Sequence, residues 1–461
     1  MAITLDITGV LQAAAYWVSN KGKSSPRKLF TYFYLMLLGL SIVVGNDPVI
    51  LSGTAFLAYY TKATNLPPTA WLMSEFAVAN TASMVLFLGN PTNVVICEGF
   101  DVNNVAFTAY TILPFLACAL ASYVVLALQF WRKKYLPKDM PLTGDLDPRK
   151  VFHDPKGAAV GGILLGSCLV VIVIVSFFKV DVWKITLPFA VAKFLFDLAW
   201  DHYRYKTGSL PDYRKDQGQE IERALSVGSL DKGSVDSDET AVNSVMPGPH
   251  TAEPKSILGI LENSDKPPKK EDKPLKEEDT PPTWYQIRYK AFELHFPTLA
   301  IALPRLPFLL IPFAFSQFIL IEALTHQGWI EVFSHWFMVA TGGKIHPTIW
   351  IVGIFGVILC NIAGTNIGAT ILLTKIVRNA PGLSSESTRA AAIALAVASN
   401  IGAVSFTFSA SLAGLLWQSI LKQKKQPISQ WTFARLNLAP LVAMTVVGLG
   451  VVSAEMAVLY R

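Results

Sequence analysis

Two stretches far apart in the chain place amides, hydroxyls and a carboxylate inside otherwise apolar sequence. The first is Gly45-Asn46-Asp47-Pro48 and the second is Cys360-Asn361-Ile362-Ala363-Gly364-Thr365-Asn366. Each is followed by a further polar interruption: Ala79-Asn80-Thr81-Ala82-Ser83 with Gly89-Asn90-Pro91-Thr92-Asn93, and Ala398-Ser399-Asn400-Ile401-Gly402 with Ser405-Phe406-Thr407-Phe408-Ser409. A helix that breaks at such residues offers unpaired N–H groups and partial positive charge to an oxyanion, and unwound carbonyls can hold a cation. Amides and hydroxyls donate or accept as the ligand demands. The four stretches contain no Lys or Arg, so a multiply charged anion there needs dipoles or co-bound cations to neutralise it. A neutral or weakly charged oxyacid suits them better. Asp47 is the carboxylate at a turn, and an acid at membrane depth is costly unless it takes up a proton or binds a cation. It is read as the coupling residue, with Glu75, shortly before Asn80, as the second choice. The competing reading makes Asp47 a cap that accepts N–H bonds from a helix starting after Pro48.

The elements that position these residues follow from composition. Of 461 residues, 52% are apolar and 16% charged, and the mean hydropathy is positive, so the chain is an all-α polytopic membrane protein. Crossing about 30 Å of hydrocarbon takes roughly 20 apolar residues. Full spans are expected at 104–131, 157–178, 183–200, 296–325 and 435–460. Two more, at 70–97 and 388–420, cross but are broken by polar stretches, giving about seven crossings. Segments 29–63 and 346–378 are long enough to enter and return, turning at Pro48 and at Gly364, and are read as re-entrant hairpins. Polar irregular backbone survives at depth only where protein buries it or it lines a cavity. Paired interruptions in two halves therefore point to a transporter's binding site.

Charge orients the spans. Lys21, Lys23, Arg27 and Lys28 precede the first hairpin; Arg132, Lys133, Lys134, Lys138, Arg149, Lys150 and Lys156 follow the 104–131 span; Lys422, Lys424, Lys425 and Arg435 precede the last. Such loops are cytoplasmic by the positive-inside bias, which accounts for the net charge of +6 without nucleic acid as a partner. The loop 98–103, free of Lys and Arg, then lies outside. Threading the chain on these constraints produces two hairpin-plus-broken-helix units of opposite orientation, an inverted repeat. Lys344, Lys375, Arg378 and Arg389 run against the bias.

The repeat extends upstream, where Gly9 and Trp17 match Gly328 and Trp336 at a spacing of eight, on segments that read as amphipathic interfacial helices. A span precedes the second of these but not the first, so the first half is expected to lack one to three helices of a complete repeat. The chain divides into 1–131, a first repeat incomplete at its N-terminus; 132–200, a loop and two scaffold helices; 201–293, a disordered cytoplasmic loop rich in Pro, Ser, Lys, Glu and Asp; and 294–461, the rest of the second, inverted repeat. The Ser-acidic run Ser234 to Glu239 reads as solvated linker ahead of a phosphorylation site. Met1 to Val10 lacks the pattern of a signal peptide.

Other chemistry finds little support. Cys97, Cys118, Cys168 and Cys360 fall in or beside apolar spans, where thiols pack well, and no disulfide framework is indicated. The seven histidines show no ligand spacing, and no nucleophile–base pair or cofactor motif marks an enzyme. Gly364 and Gly368 form a small-xxx-small pair suited to close helix packing, but Asn361, Thr365 and Asn366 beside them favour a site.

The run from Gly45 to Thr54, the Asn80 to Asn93 region, Asn361 to Thr370 and Ser399 to Leu412 resemble the arsenical pump membrane proteins. These belong to the ion transporter superfamily, with citrate and dicarboxylate carriers, silicon effluxers and sodium/proton antiporters. The resemblance covers nearly all membrane residues but not 201–293, and it is specific for the superfamily more than for the substrate. It implies a substrate held between two hairpin tips and two unwound helix breaks. Carried over by position, the site comprises Asn46, Asp47, Ser52, Gly53, Thr54, Asn80, Thr81, Ser83, Asn90, Thr92 and Asn93 from the first half. The second half supplies Asn361, Gly364, Thr365, Asn366, Ser399, Asn400, Ser405 and Ser409.

Three functions are expected in order: efflux of arsenite, antimonite or a related oxyacid coupled to protons; a citrate, dicarboxylate or other anion carrier on the same scaffold; and a truncated, non-transporting or regulatory product. No cofactor is expected beyond the coupling ion, a proton with sodium as the alternative. The partners are a small inorganic or organic anion or oxyacid and the lipid bilayer, with a homodimer compatible. The plasma membrane is the first choice of location, ahead of an intracellular membrane.

Overall fold

The computed structural model describes residues 1–22, 25–137, 146–175, 182–210, 284–306, 308 and 310–460, and its regular secondary structure is entirely helical. The order is α1 (Ala2–Ile7), α2 (Val10–Lys21), α3 (Pro26–Val44), α4 (Asn46–Ala63), α5 (Pro68–Ala82), α6 (Pro91–Phe100), α7 (Asn104–Gln129), α8 (Pro155–Val175) and α9 (Val182–Thr207). Then follow α10 (Trp284–His295), α11 (Pro297–Ala302), α12 (Leu310–His326), α13 (Trp329–Thr341), α14 (Ile345–Ile362), α15 (Asn366–Arg378), α16 (Ser385–Gly402), α17 (Leu412–Gln423) and α18 (Gln430–Leu459). Short 3-10 turns, Phe87–Gly89 and Phe408–Ala410, precede α6 and α17.

Local chemistry sets the helix starts. Pro26, Pro68, Pro91 and Pro297 sit in the first turn, where a missing N–H costs nothing. Elsewhere side chains cap: Asn90 accepts from Thr92 N, Asn103 from Ala106 N, Ser411 from Gly414 N and Ser429 from Thr432 N. Helices α7 and α18 pack together, each kept continuous through an internal proline, Pro114 and Pro440. Pro440 cannot donate to the carbonyl one turn back, and Gln129 Nε2 fills that role on Leu436 O at 3.0 Å. Both helices present apolar side chains outward, among them Leu120, Leu128 and Val446. An outward apolar surface of this kind suits hydrocarbon.

The order α2 to α7, 3-10 turn included, recurs as α13 to α18. Gly9 and Gly328 open α2 and α13 in the left-handed region, with φ of +92° and +76°, and Gly45 and Gly364 turn the two helix pairs at +92° and +87°. In both halves these glycines stand 36 positions apart. Trp17 and Trp336 are both exposed. Gly9 also meets a neighbour, since a Cβ there would lie 2.0 Å from Val151 O. Gly9→Ala is therefore expected to lower stability by about 2 kcal/mol or more, read as a lower unfolding temperature in detergent.

Among the described residues five helices are long and apolar enough to cross a membrane: α3, α7, α8, α14 and α18. The chain is an integral membrane protein. Three of the five match expected full spans, while α3 and α14 are the first legs of the expected hairpins. The span expected at 296–325 is two pieces instead. Pro304 and Pro307 remove donors, and Leu306, ahead of Pro307, is extended at φ −69°, ψ 135°, so α11 ends in a 3-10 turn before α12 begins. The loop expected at 201–293 is also helical at its ends. Helix α9 runs to Thr207 because Asp201 and Arg204 are buried rather than solvated: Arg204 Nη1 lies 2.9 Å from Asp154, and Asp201 accepts from Thr298 N at 2.9 Å. Residues 284–293 belong to α10. The rest of that loop, 211–283, including the Ser-acidic run, lies outside the described residues.

Candidate functional site

The first helix pair turns at Gly45, three residues before the Pro48 expected from sequence, because glycine takes φ +92° at little cost. Pro48 falls instead within the first turn of α4, where its missing donor is harmless. A cavity of about 540 Å³ opens at this tip, lined by Gly45, Asn46 and Asp47, by Leu88, Gly89 and Pro91 of the first break, and by Lys193 and Asp197 of α9. The starts of α4 and α6 both border it; Pro91 has no N–H and Thr92 N is capped by Asn90, so the first-turn N–H groups at its wall are those of α4. Asn46 is only 7% exposed, and neither it nor Asp47 has a hydrogen bond or ion pair among the described residues. A buried amide without a partner is costly unless a ligand or water meets it. Asp47 does not cap α4, whose N-terminus carries no side-chain cap bond, so the capping reading fails.

Lys193 and Asp197 escaped the sequence reading. Lys193 Nζ bonds Asp197 Oδ1 one helical turn on, with side chains 2% and 5% exposed. The signal was present, since two opposite charges four apart inside the apolar segment 183–200 already mark an ionisable pair at membrane depth. With Asp47 ionised, the three charged side chains of the cavity sum to one net negative charge.

A second group joins the halves. Asn400 is fully buried; its Oδ1 accepts from Asn90 Nδ2 at 3.1 Å and from the Ser83 hydroxyl at 2.9 Å. Its Nδ2 donates to Asn93 Oδ1 and to Ala396 O, both at 2.9 Å. Asn93 in turn donates to Ser83 O and Leu86 O. Thr92 and Ser399 hydroxyls meet at 3.3 Å, and Asn366 Nδ2 reaches Ser399 O at 3.4 Å. These side chains hold two unwound segments against each other, which is how irregular buried backbone is satisfied.

The second break has its own clamp. Asn361 Oδ1 accepts from Phe406 N, Thr407 N and the Thr407 hydroxyl, and its Nδ2 donates to Ser405 Oγ at 2.6 Å. The Ser409 hydroxyl bonds Thr407 at 3.3 Å. Thr365 caps α15 on Gly368 N, while Gly364 is exposed at its turn. Asn80 and Thr81 bond carbonyls of their own helix, Phe76 O and Ala77 O, at 2.8 Å each.

Ser52, Gly53 and Thr54 point elsewhere. The Ser52 hydroxyl bonds Asp6 of α1, which Arg305 Nη1 approaches at 3.4 Å. Glu75 is fully buried and accepts from Thr54 Oγ1 at 2.8 Å and from Trp417 Nε1 at 3.3 Å, so one carboxyl touches α4 and α17. Gly53 faces it, and a Cβ there would lie 2.9 Å from Glu75 Oε1. Gly53→Ala is expected to cost roughly 1–3 kcal/mol by displacing that held carboxyl, measurable as a lower unfolding temperature that Gly39→Ala, with open space around it, does not share. The nineteen residues expected to form one site thus fall into several separate groups, and Asn46 and Asp47 are the two that line the tip cavity.

Residues 1–205 match the family model described as citrate transporter. Two arsenical pump membrane proteins of Escherichia coli are 26% identical over 188 residues and 28% over 192 residues, and one of Yersinia enterocolitica is 28% identical over 194 residues. Each alignment covers 39% of this chain and 41% of the relative, so the chain spans about two-fifths of the length of these curated relatives. Over residues 1–205, which hold the first turn, the first break and the Lys193–Asp197 pair, the chain is similar to the citrate transporter family, and arsenical pump membrane proteins are among its curated relatives.

Proposed function

We propose that the chain is a secondary active transporter that exports arsenite, antimonite or a related oxyacid in exchange for protons. The observation that carries this reading is the tip cavity, which combines the start of α4 with a buried amide and a carboxylate that have no side-chain partner among the described residues. Helix starts favour oxygen ligands with partial negative charge, and the Asn46 amide donates or accepts. With Lys193 already paired to Asp197 and a further carboxylate at the wall, the cavity suits a neutral hydroxide better than a tricarboxylate. Asp47 carries the proton in this reading; Glu75, which joins α4 to α17 away from the cavity, is the second coupling group. The recurrence of α2 to α7 as α13 to α18 supports two repeated units; in this reading they are inverted, with α3–α4 and α14–α15 as re-entrant pairs, the long loop is cytoplasmic and the location is the plasma membrane.

A carboxylate carrier is the second reading, favoured by Lys193 at the cavity wall and by the match of residues 1–205 to the citrate transporter family. Expression in a cell lacking its own arsenite efflux separates the two. Restored arsenite tolerance is the expected result, and citrate uptake without tolerance contradicts it.

A further inference from the structure

Lys193 and Asp47 stand on helices that are not packed on each other yet line one cavity. Helix α9 packs on α8, α10 and α11, whereas α4 packs on α2, α3, α5 and α17, and the short α1 touches α4, α8 and α11. Lys193 is 2% exposed, with its stem near Gly161 of α8, where a Cβ would lie 3.1 Å from its Cε. Its ammonium is held by Asp197, while Asp47, lining the same cavity, makes no ion pair among the described residues. Lys193 thus stands at one wall with two carboxylates, and the Met1 α-ammonium, the other cation lining the cavity, faces Lys193 and Asp197. The other charged groups along α4 are engaged elsewhere: Asp6 and Arg305 meet at Ser52, and Glu75 is held by Thr54 and Trp417, both more than a helical turn beyond Asp47.

We propose that Lys193 is an exchangeable counter-ion, paired with Asp197 while Asp47 carries a proton and drawn to Asp47 once that proton has left for water. The proton moves between the Asp47 carboxyl and solvent, and the ammonium keeps its charge throughout. Each exchange adds or removes a direct tie between the tip of the first helix pair and α9, beside the contacts that α1 makes with both α4 and α8. Protonation of Asp47 thereby becomes a change in how two parts of the protein hold together. The inference rests on reading Asp47 as the coupling carboxylate.

Carbodiimide labelling of the purified full-length protein in detergent, with Asp47 read by peptide mass spectrometry across a pH series, tests the exchange without any cargo, because the reagent attacks the protonated carboxyl. Lys193→Gln removes the cation, so Asp47 is expected to keep reacting to a pH about one unit higher, a tenfold change in proton affinity. Asp197→Asn removes the competing carboxylate, so labelling is expected to end about one unit lower. Lys193→Arg keeps the charge and is expected to leave the midpoint within a few tenths of a unit of the unmodified protein. Opposite shifts in the first two variants support the exchange. Shifts in the same direction, or none in either, overturn it even if arsenite export stands; conversely, absent arsenite export leaves opposite shifts intact and overturns only the choice of cargo.

Discussion

An Asp47→Asn protein is expected to carry its substrate down a gradient but not up one. Asparagine keeps the shape of the carboxyl and the α4 start, and it resembles the protonated state permanently, so the cavity should still admit an uncharged oxyacid. What disappears is the alternation between two charge states. Since Asp47 makes no hydrogen bond, the substitution leaves no partner stranded, and the unfolding temperature should hardly move. Proton movement driven by substrate should fall by about 5- to 150-fold, the range of ordinary coupling free energies between two ligands. The check is paired: radiotracer exchange at equal concentrations on both sides, and accumulation against a gradient, in the same vesicles. Retained accumulation in the variant assigns coupling to another group, with Glu75 next in line.

Asn400→Leu is expected to produce the largest loss of stability of any single substitution in the polar network. Leucine keeps the branched shape of the side chain, though it is bulkier, and leaves Asn90 Nδ2 and Asn93 Oδ1 buried with no partner from the other half. The Ser83 hydroxyl keeps Asn80 O, and Ala396 O stays within its helix. Two stranded polar groups at roughly 1–3 kcal/mol each put the cost near ~3 kcal/mol. Ser399→Ala, which removes a long 3.3 Å contact to Thr92, should cost about 1 kcal/mol or less. Thermal unfolding of the two detergent-solubilised variants side by side measures the difference, and equal unfolding temperatures would remove Asn400 as the tie between the halves.

Much of the architecture was readable because its signals are local. Apolar run length located α7, α8 and α18, and polar clusters located both broken helices to within a few residues. Chain turns were legible at Gly364 and misplaced at Gly45, where Pro48 was the louder signal but its position in a helix's first turn makes it harmless. The break at Arg305–Leu306 was hidden inside a hydrophobic run, because length and hydropathy do not weigh the two prolines that end a helix. Helix α9 outran its expected end because burial of Asp201 and Arg204 depends on Asp154 and Thr298, partners that spacing along α9 cannot show.

The site was legible in residue type and not in grouping. Asn46 and Asp47 stood out as polar residues at a turn and do line the cavity, whereas Ser83, Asn90, Asn93 and Asn400 carry the same signature and spend it on one another. A polar residue at a helix break can bind a ligand or satisfy the break itself, and only the three-dimensional partner decides between them. Lys193 was hidden for the opposite reason, since it sits in a segment that is apolar on average and forms no polar cluster in sequence.

The most direct test of proton-coupled oxyacid export is a pH jump on proteoliposomes holding the full-length protein and trapped, labelled arsenite. An inward proton gradient is expected to drive arsenite out faster than the same vesicles without a gradient, with protons entering in step, and an Asp47→Asn preparation is expected to show neither effect. Arsenite release indifferent to the gradient, or a gradient response for citrate and none for arsenite, would contradict the account.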